Sequence, residues 1–335
     1  MILDGHVLVV RLPNWLGDTV MALPALAALR AARPDALVTV IGPWAPLLTG
    51  QAVADVHLRY PRNGHLRKKL GAVLREMKPD VAVLLPNSFE SALAARRWGA
   101  RIRLGYDADM RRPLLTHSAP VPSPRQHQVD EYTGLLEAAG APPMAGSPTW
   151  RLPADDAADA AVTALLDEAG CTGSGPLVGL HLGAAFGSSK LWPPASYAEL
   201  ARGLAERGLE PVLIGSNDDI AVAEAVTALA GQPIASSVGR DRPEMLPRLL
   251  ARLACLVSGD TGIAHLAAAV GVPTVTLFGP TDPRLSAPRG RASHGLAGSA
   301  PCAPCFLPRC PIDHVCMRAI SVASVAHAVE KARAA

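Results

Sequence analysis

Three loops in this sequence combine residue types suited to chemistry on a phosphorylated ligand, and each directly follows a short apolar run. The first is Arg11-Leu12-Pro13-Asn14-Trp15-Leu16-Gly17-Asp18-Thr19. A carboxylate beside glycine where a helical pattern begins is either an N-cap, worth about 1 kcal/mol, or a general base facing a ligand. The second is His181-Leu182-Gly183-Ala184-Ala185-Phe186-Gly187-Ser188-Ser189-Lys190. Its small residues let backbone N–H groups approach an anion and Lys190 adds a point charge; the plainer alternative is an ordinary strand-to-helix loop. The third is Ser258-Gly259-Asp260-Thr261-Gly262-Ile263-Ala264-His265, a strand–turn–helix pattern whose first amides suit phosphate oxygens. His265 falls four residues after Thr261, where a histidine is more often a structural hydrogen-bonder than a catalyst. Asp-Thr-Gly is also an aspartic-protease signature, but that chemistry needs an all-β setting and two such carboxylates, and here a helical pattern follows at once. The first loop lacks the G-x-G-x-x-G spacing and no G-x-x-x-x-G-K-[ST] occurs in the chain, so neither a dinucleotide fingerprint nor a P-loop is present.

The elements that must position these loops alternate along the chain. Apolar runs at 7–12, 37–41 and 81–85 are separated by helical spacing at 19–33 and 66–77. After a proline-rich stretch at 118–153, interrupted by a helical pattern at 130–139, the rhythm restarts. Strand-like runs at 177–182, 210–214, 255–258 and 274–278 alternate with helical patterns at 196–207, 219–230, 245–254 and 263–270, and a last helix follows at 324–334. Continuous apolar runs, rather than period-two alternation, predict parallel strands covered by helices on both faces. With 335 residues, two α/β domains in tandem are expected, joined near residue 152, with ligands at the carboxyl ends of the strands. Hydrophobic residues at 49% and charged residues at 18% suit a large core and exclude disorder. No run of about 18 uncharged apolar residues exists to span a membrane. The first fifteen residues lack a basic leader and read as a buried strand rather than a signal peptide, so a cytoplasmic location is expected.

The net charge of +3 does not call for nucleic acid, but its distribution is uneven. Residues 1–150 hold 17 Lys and Arg against 12 Asp and Glu, whereas residues 151–335 hold 15 against 17. The surplus lies in Arg67-Lys68-Lys69, Arg96-Arg97, Arg101, Arg103 and Arg111-Arg112. These are either solvated helix faces or contacts to something anionic, a phosphorylated substrate or a lipid surface. Four of the six cysteines crowd one segment as Cys302, Cys305, Cys310 and Cys316. Those spacings fit either a structural metal or reduced, partly buried thiols, with the single C-x-x-C pair favouring the thiols.

Taken in order, Leu16-Gly17-Asp18, Lys190-Leu191-Trp192-Pro193, Leu213-Ile214-Gly215-Ser216 and Asp260-Thr261-Gly262-Ile263-Ala264-His265 resemble glycosyltransferase family nine, the ADP-heptose:lipopolysaccharide heptosyltransferases. Leu84-Leu85-Pro86-Asn87-Ser88-Phe89-Glu90, Arg103-Leu104-Gly105-Tyr106 and Phe278-Gly279-Pro280-Thr281-Asp282-Pro283 resemble its heptosyltransferase II branch. The resemblance spans nearly the whole chain. It implies a GT-B architecture of two Rossmann-like doubly wound domains facing a cleft, with an acceptor domain over 1–152 and a nucleotide-sugar domain over 153–319. The C-terminal helix at 320–335 is expected to pack back on the first domain. The implied reaction is an inverting, metal-independent transfer of heptose from ADP-heptose, a co-substrate rather than a cofactor, to a lipid A–core acceptor at the inner membrane surface. Asp18 matches the family's catalytic base. Ser188, Ser189, Lys190, Asp260, Thr261, Gly262 and His265 are the expected donor contacts. Asn14, Trp15, Gly17, Asn87, Ser88, Arg67, Lys68 and Lys69 are the expected acceptor contacts. One departure is Asn217, which stands where the family carries a carboxylate. Two other functions share these loops: a GT-B transferase using another nucleotide sugar for a different surface glycan, and a non-catalytic nucleotide-sugar binder, which has no need of Asp18.

Overall fold

The structure, a computed structural model, describes residues 2–144, 146–240 and 242–335. The chain divides into two compact units, Met1–Pro148 and Thr149–Ala335. In the first, the elements run β1 (Val7–Arg11), α1 (Leu16–Met21), α2 (Leu23–Ala32), β2 (Leu37–Gly42), β3 (Val56–Arg59), α3 (Gly64–Glu76), β4 (Val81–Leu84), α4 (Phe89–Arg97), β5 (Ile102–Asp107), β6 (His117–Pro120) and α5 (Gln128–Glu137). In the second they run α6 (Asp156–Glu168), β7 (Leu177–His181), α7 (Pro194–Ala205), β8 (Glu210–Ile214), α8 (Ile220–Ala230), β9 (Ala235–Ser236), α9 (Leu246–Ala251) and β10 (Cys255–Gly259). There follow α10 (Gly262–Val270), β11 (Thr274–Phe278), α11 (Pro283–Ser286), β12 (Ser293–Ala297), α12 (Val315–Arg318) and α13 (Val322–Ala334).

Each unit is built on one six-stranded sheet, ordered β3-β2-β1-β4-β5-β6 in the first and β12-β11-β10-β7-β8-β9 in the second. Every pairing in both sheets is parallel. Counted from its own first strand, each sheet has the 3-2-1-4-5-6 order of the doubly wound fold, with the order of strand addition reversing between its first and fourth strands. Helices on both faces explain the unbroken apolar runs: β4 and β11 are buried at every residue. The expected α/β, two-domain architecture is therefore present.

Three local readings change. The helical spacing over 19–33 forms two helices, because Pro24 lies in the first turn of α2 and the chain restarts at Leu23. The proline-rich stretch is not all linker, since β6 and α5 both belong to the first unit and the division falls after Pro148. The last helix was expected on the first unit. Instead the buried face of α13, with Val325, Val329 and Ala332, joins a core with Leu200, Leu204 and Val257 in the second unit. Among the described residues, no helix is long and apolar enough to cross a membrane.

Candidate functional site

The two pairs of strands flanking these reversals of order, β1 and β4, then β7 and β10, end in the loops whose composition suggested chemistry. In the first unit, Asp18 is not the N-cap of its helix. Trp15 takes that position and Asp18 is the third residue of α1, so the capping alternative loses its geometry and the half-buried carboxylate stands at the positive end of a helix. Sequence reasoning missed its neighbour. The Tyr132 hydroxyl on α5, in a side chain only 4% exposed, donates to Asp18 Oδ1 at 3.4 Å. Burial first, and the Asp18 charge second, push the Tyr132 phenol well above its ordinary pKa, so it remains a donor. Nothing in the sequence brings residues 18 and 132 together; only the apolar face of α5 (Val129, Leu135, Leu136) shows that Tyr132 points inward.

The loops after β1 and β4 are braced by two buried arginines. Arg11 ends β1 with its guanidinium 4.0 Å from the centre of the Tyr60 ring and its Nη2 donating to Asn14 Oδ1 at 2.6 Å. Arg67 approaches the same ring at 5.0 Å, donates through Nε to the Pro61 carbonyl at 2.7 Å and lies 3.6 Å from Glu90. The Tyr60 hydroxyl donates to Glu90 as well. Arg111, fully buried, was grouped by sequence with the anion-contacting surface, and its burial rules that out. It donates to the Tyr106 carbonyl at 2.8 Å, to Asn87 Oδ1 at 3.1 Å, to Ser91 Oγ at 3.0 Å and to the Pro86 carbonyl. Burial drops its pKa to about 10, still charged near neutrality. It therefore holds the loop after β4 in shape. Ser88 in that loop caps α4, accepting from Ser91 N at 3.3 Å. Trp15 is 53% exposed and Gly17 is buried. Lys68 and Lys69 are exposed and make no ion pair among the described residues.

In the second unit the loops after β7 and β10 are joined by a buried ion pair. Lys190 Nζ donates to Asp260 Oδ2 at 2.7 Å and to the Asp260 carbonyl at 2.8 Å, with the Phe186 ring centre 4.9 Å away. Both residues are less than a tenth exposed. His265 Nε2 lies 3.9 Å from Asp260 Oδ1, and the Ser286 hydroxyl is 3.5 Å from the same carboxylate. Asp260 thus holds the Lys190 ammonium through both its carboxylate and its carbonyl. Thr261 is the N-cap residue of α10 yet its side chain accepts no capping hydrogen bond, which leaves the first amides of the helix for a ligand. The Thr261 hydroxyl instead meets Ser258 Oγ at 2.9 Å, and Ser258 meets His181 Nδ1 at 3.0 Å across paired strands. Burial pushes the His181 imidazole down to about 4, so it is neutral near pH 7 and adds no charge to the loop.

The remaining donor-loop serines divide. Ser188 is exposed. Ser189 is buried and donates to the Leu307 carbonyl at 2.6 Å, so its hydroxyl fastens the cysteine-bearing segment to the loop instead of facing a ligand. Gly187 lies so close to the Pro308 carbonyl that a side chain there would collide with it. Cys316 is buried in the second unit's core and Cys302 is exposed. Among the described residues, no three His, Cys, Asp or Glu side chains converge to hold a metal ion, the four-cysteine segment included. In the same loop as Asn217, Asp219 Oδ2 accepts from Ser216 N and Oγ at 2.8 and 2.9 Å as part of a capping box.

Comparison with known proteins shows the family. A family model described as "Glycosyltransferase family 9 (heptosyltransferase)" matches residues 67–316. The chain is 32% identical over 290 residues to lipopolysaccharide heptosyltransferase 2 of Salmonella typhimurium, covering 82% of this chain and 83% of that protein. It is 32% identical over 294 residues to lipopolysaccharide heptosyltransferase 2 of Escherichia coli, with coverages of 82% and 83%. Among solved structures, the ADP-heptose LPS heptosyltransferase II of E. coli superposes with a TM-score of 0.81 at 26% identity over 98% of both chains.

Proposed function

Since the chain belongs to glycosyltransferase family 9, we propose that it transfers heptose from ADP-heptose to the inner core of lipopolysaccharide, with its acceptor presented at the inner membrane surface. Relatives named for that activity align with it over about four-fifths of its length. The observation that carries the reading is the pairing of Lys190 with Asp260 beside the uncapped first turn of α10. It fixes a cation and free amides in one place, which is what a leaving diphosphate needs.

In the proposed reaction the second unit holds the donor and the first the acceptor. The acceptor oxygen attacks the anomeric carbon as the bond from that carbon to the ADP oxygen breaks on the opposite face, which inverts the configuration. Asp18 takes the hydroxyl proton. The charge that develops on ADP falls on Lys190 and the α10 amides. Thr261, Gly262 and Ser188 frame that diphosphate, and Asp260 and His265 keep the lysine in place. Asn14 and Asn87, oriented by Arg11 and Arg111, and the exposed Trp15 face the acceptor.

Tyr132 acts through Asp18. A phenol donating to a carboxylate stabilises its charged form and lowers its pKa. Tyr132→Phe is expected to move the acidic limb of the kcat/KM–pH profile upward, because the charged carboxylate loses a donor. An unmoved limb makes Tyr132 a packing residue only.

Incubation of the purified protein with ADP-, UDP- and GDP-sugars and a truncated, delipidated core acceptor, read by product mass, tests the whole assignment. Only ADP-heptose should give a product, with inverted anomeric configuration and undiminished activity in EDTA. Turnover of a different nucleotide sugar moves the protein to the second transferase reading.

A further inference from the structure

Three polar side chains at the carboxyl ends of β7 and β10 touch one another in line, and the proposed reaction uses only the last of them. His181 closes β7, and Ser258 stands opposite it in the parallel register. The His181 Nδ1 lies 3.0 Å from Ser258 Oγ, which lies 2.9 Å from Thr261 Oγ1. His181 and Ser258 are buried, whereas Thr261 is half-buried at the start of α10. The His181 carbonyl accepts from the Tyr197 hydroxyl at 2.9 Å, so the backbone of this histidine is tied as well as its ring. The contacts run from the interior outward to a hydroxyl that a ligand at the α10 amides can meet.

Packing accounts for a buried histidine, but not for its place on a serine whose other neighbour is the N-cap threonine of that helix. A neutral imidazole has one donor and one acceptor nitrogen, and each hydroxyl has one proton. The direction of the chain therefore decides what Thr261 offers. With the ring proton on Nε2, Ser258 donates to Nδ1, Thr261 donates to Ser258, and only lone pairs are left to face a phosphate oxygen. With the proton on Nδ1, the imidazole donates to Ser258 and the Ser258 proton is released. The structure favours the second arrangement, because the Ser258 hydroxyl donates to the Gly259 carbonyl at 2.9 Å and so has no proton left for Nδ1. A phosphate oxygen that draws the Thr261 proton lets the Ser258 proton swing to Thr261 Oγ1, which lies at the same 2.9 Å. We propose that His181, Ser258 and Thr261 form a one-way donor relay: Nδ1–H to Ser258 Oγ, Ser258 O–H to Thr261 Oγ1, and Thr261 O–H to a phosphate oxygen of the nucleotide. His181 and Ser258 are positioning residues that act through Thr261, and each bond of the chain strengthens the next. The inference rests on the reading of the second unit as the donor-binding half.

Two measurements test it. Nitrogen-15 spectra of the ring, assigned by their loss in His181→Asn, should show the proton on Nδ1. ADP affinity by calorimetry reads the relay itself. Thr261→Val is expected to weaken ADP binding by about 10- to 150-fold, the size of a hydrogen bond to a charged oxygen. Ser258→Ala should weaken it by about 2- to 10-fold in the wild-type background and not measurably in Thr261→Val, because a group that acts only through Thr261 then has nothing to act on. A serine that serves the fold costs the same affinity in both backgrounds, and that result overturns the proposal. So does a ring proton on Nε2, or unchanged affinity in Ser258→Ala. The tautomer is read on the wild type, so it decides the direction of the relay whatever Ser258→Ala does to the thermal transition. A wild type that binds ADP through this coupled pair yet transfers no heptose refutes the transferase reading and leaves the relay standing. Additive losses in an active enzyme do the opposite.

Discussion

Asp18→Asn is expected to lower kcat by about 10²–10⁴-fold, the range that a positioned base contributes, while donor affinity and the thermal transition are retained. The substitution keeps the shape of the side chain and leaves Tyr132 a partner for its hydroxyl. Asp18 sits in the first turn of α1 without being its N-cap, so the loss of its charge costs the helix only a small dipole term, about 0.3–1 kcal/mol. The measurement is steady-state kcat alongside donor binding by calorimetry. Turnover within a few-fold of wild type removes Asp18 from the chemistry. Glu90 does not replace it, because its carboxylate is occupied by Tyr60 and Arg67.

Lys190→Ala is expected to lower kcat/KM for the donor by about 10- to 150-fold, the equivalent of a charge-assisted contact of roughly 1.5–3 kcal/mol, with acceptor KM little changed. The variant also strands Asp260, whose buried carboxylate accepts from the ammonium at 2.7 Å in the native loop, so a fall in thermal stability accompanies the kinetic loss. Lys190→Ala/Asp260→Asn separates the two effects. It should recover stability, since no buried charge is left unpaired, without recovering donor use. If activity returns along with stability, the lysine serves the fold and some other group meets the diphosphate.

The parts of this fold legible in the sequence were those where one physical effect dominated. The central strands β1, β2, β4, β7, β10 and β11 are buried on both faces and read as unbroken apolar runs. The strands that escaped notice include all four sheet edges. β3 is Val-His-Leu-Arg, β6 is His-Ser-Ala-Pro, β12 is Ser-His-Gly-Leu-Ala and β9 has two residues. An edge strand is half solvated and short, so its composition approaches that of a loop. β5 was missed for a related reason: Arg103 and Asp107 interrupt it, although the chain needs it between β4 and β6. In the candidate site, the loops themselves were legible because glycine, small residues and one charge recur after an apolar run. What they hold onto was not. Contacts between Tyr132 and Asp18, Arg111 and Asn87, or Ser189 and Leu307 join residues far apart in the chain, and charge clusters misled where burial reverses their meaning, as at Arg111.

Both sheets carry the same strand order, and each closes over a core of its own. Because ligand-binding loops sit outside those cores, the loops after β7 and β10 can change without any compensating change after β1 and β4. Under the proposed division of donor and acceptor between the units, selection is then free to exchange one sugar for another, or one receiving glycan for another, as separate events. A lineage of such chains would diversify by recombining two vocabularies, one for what is given and one for what receives it, on a scaffold that registers neither change.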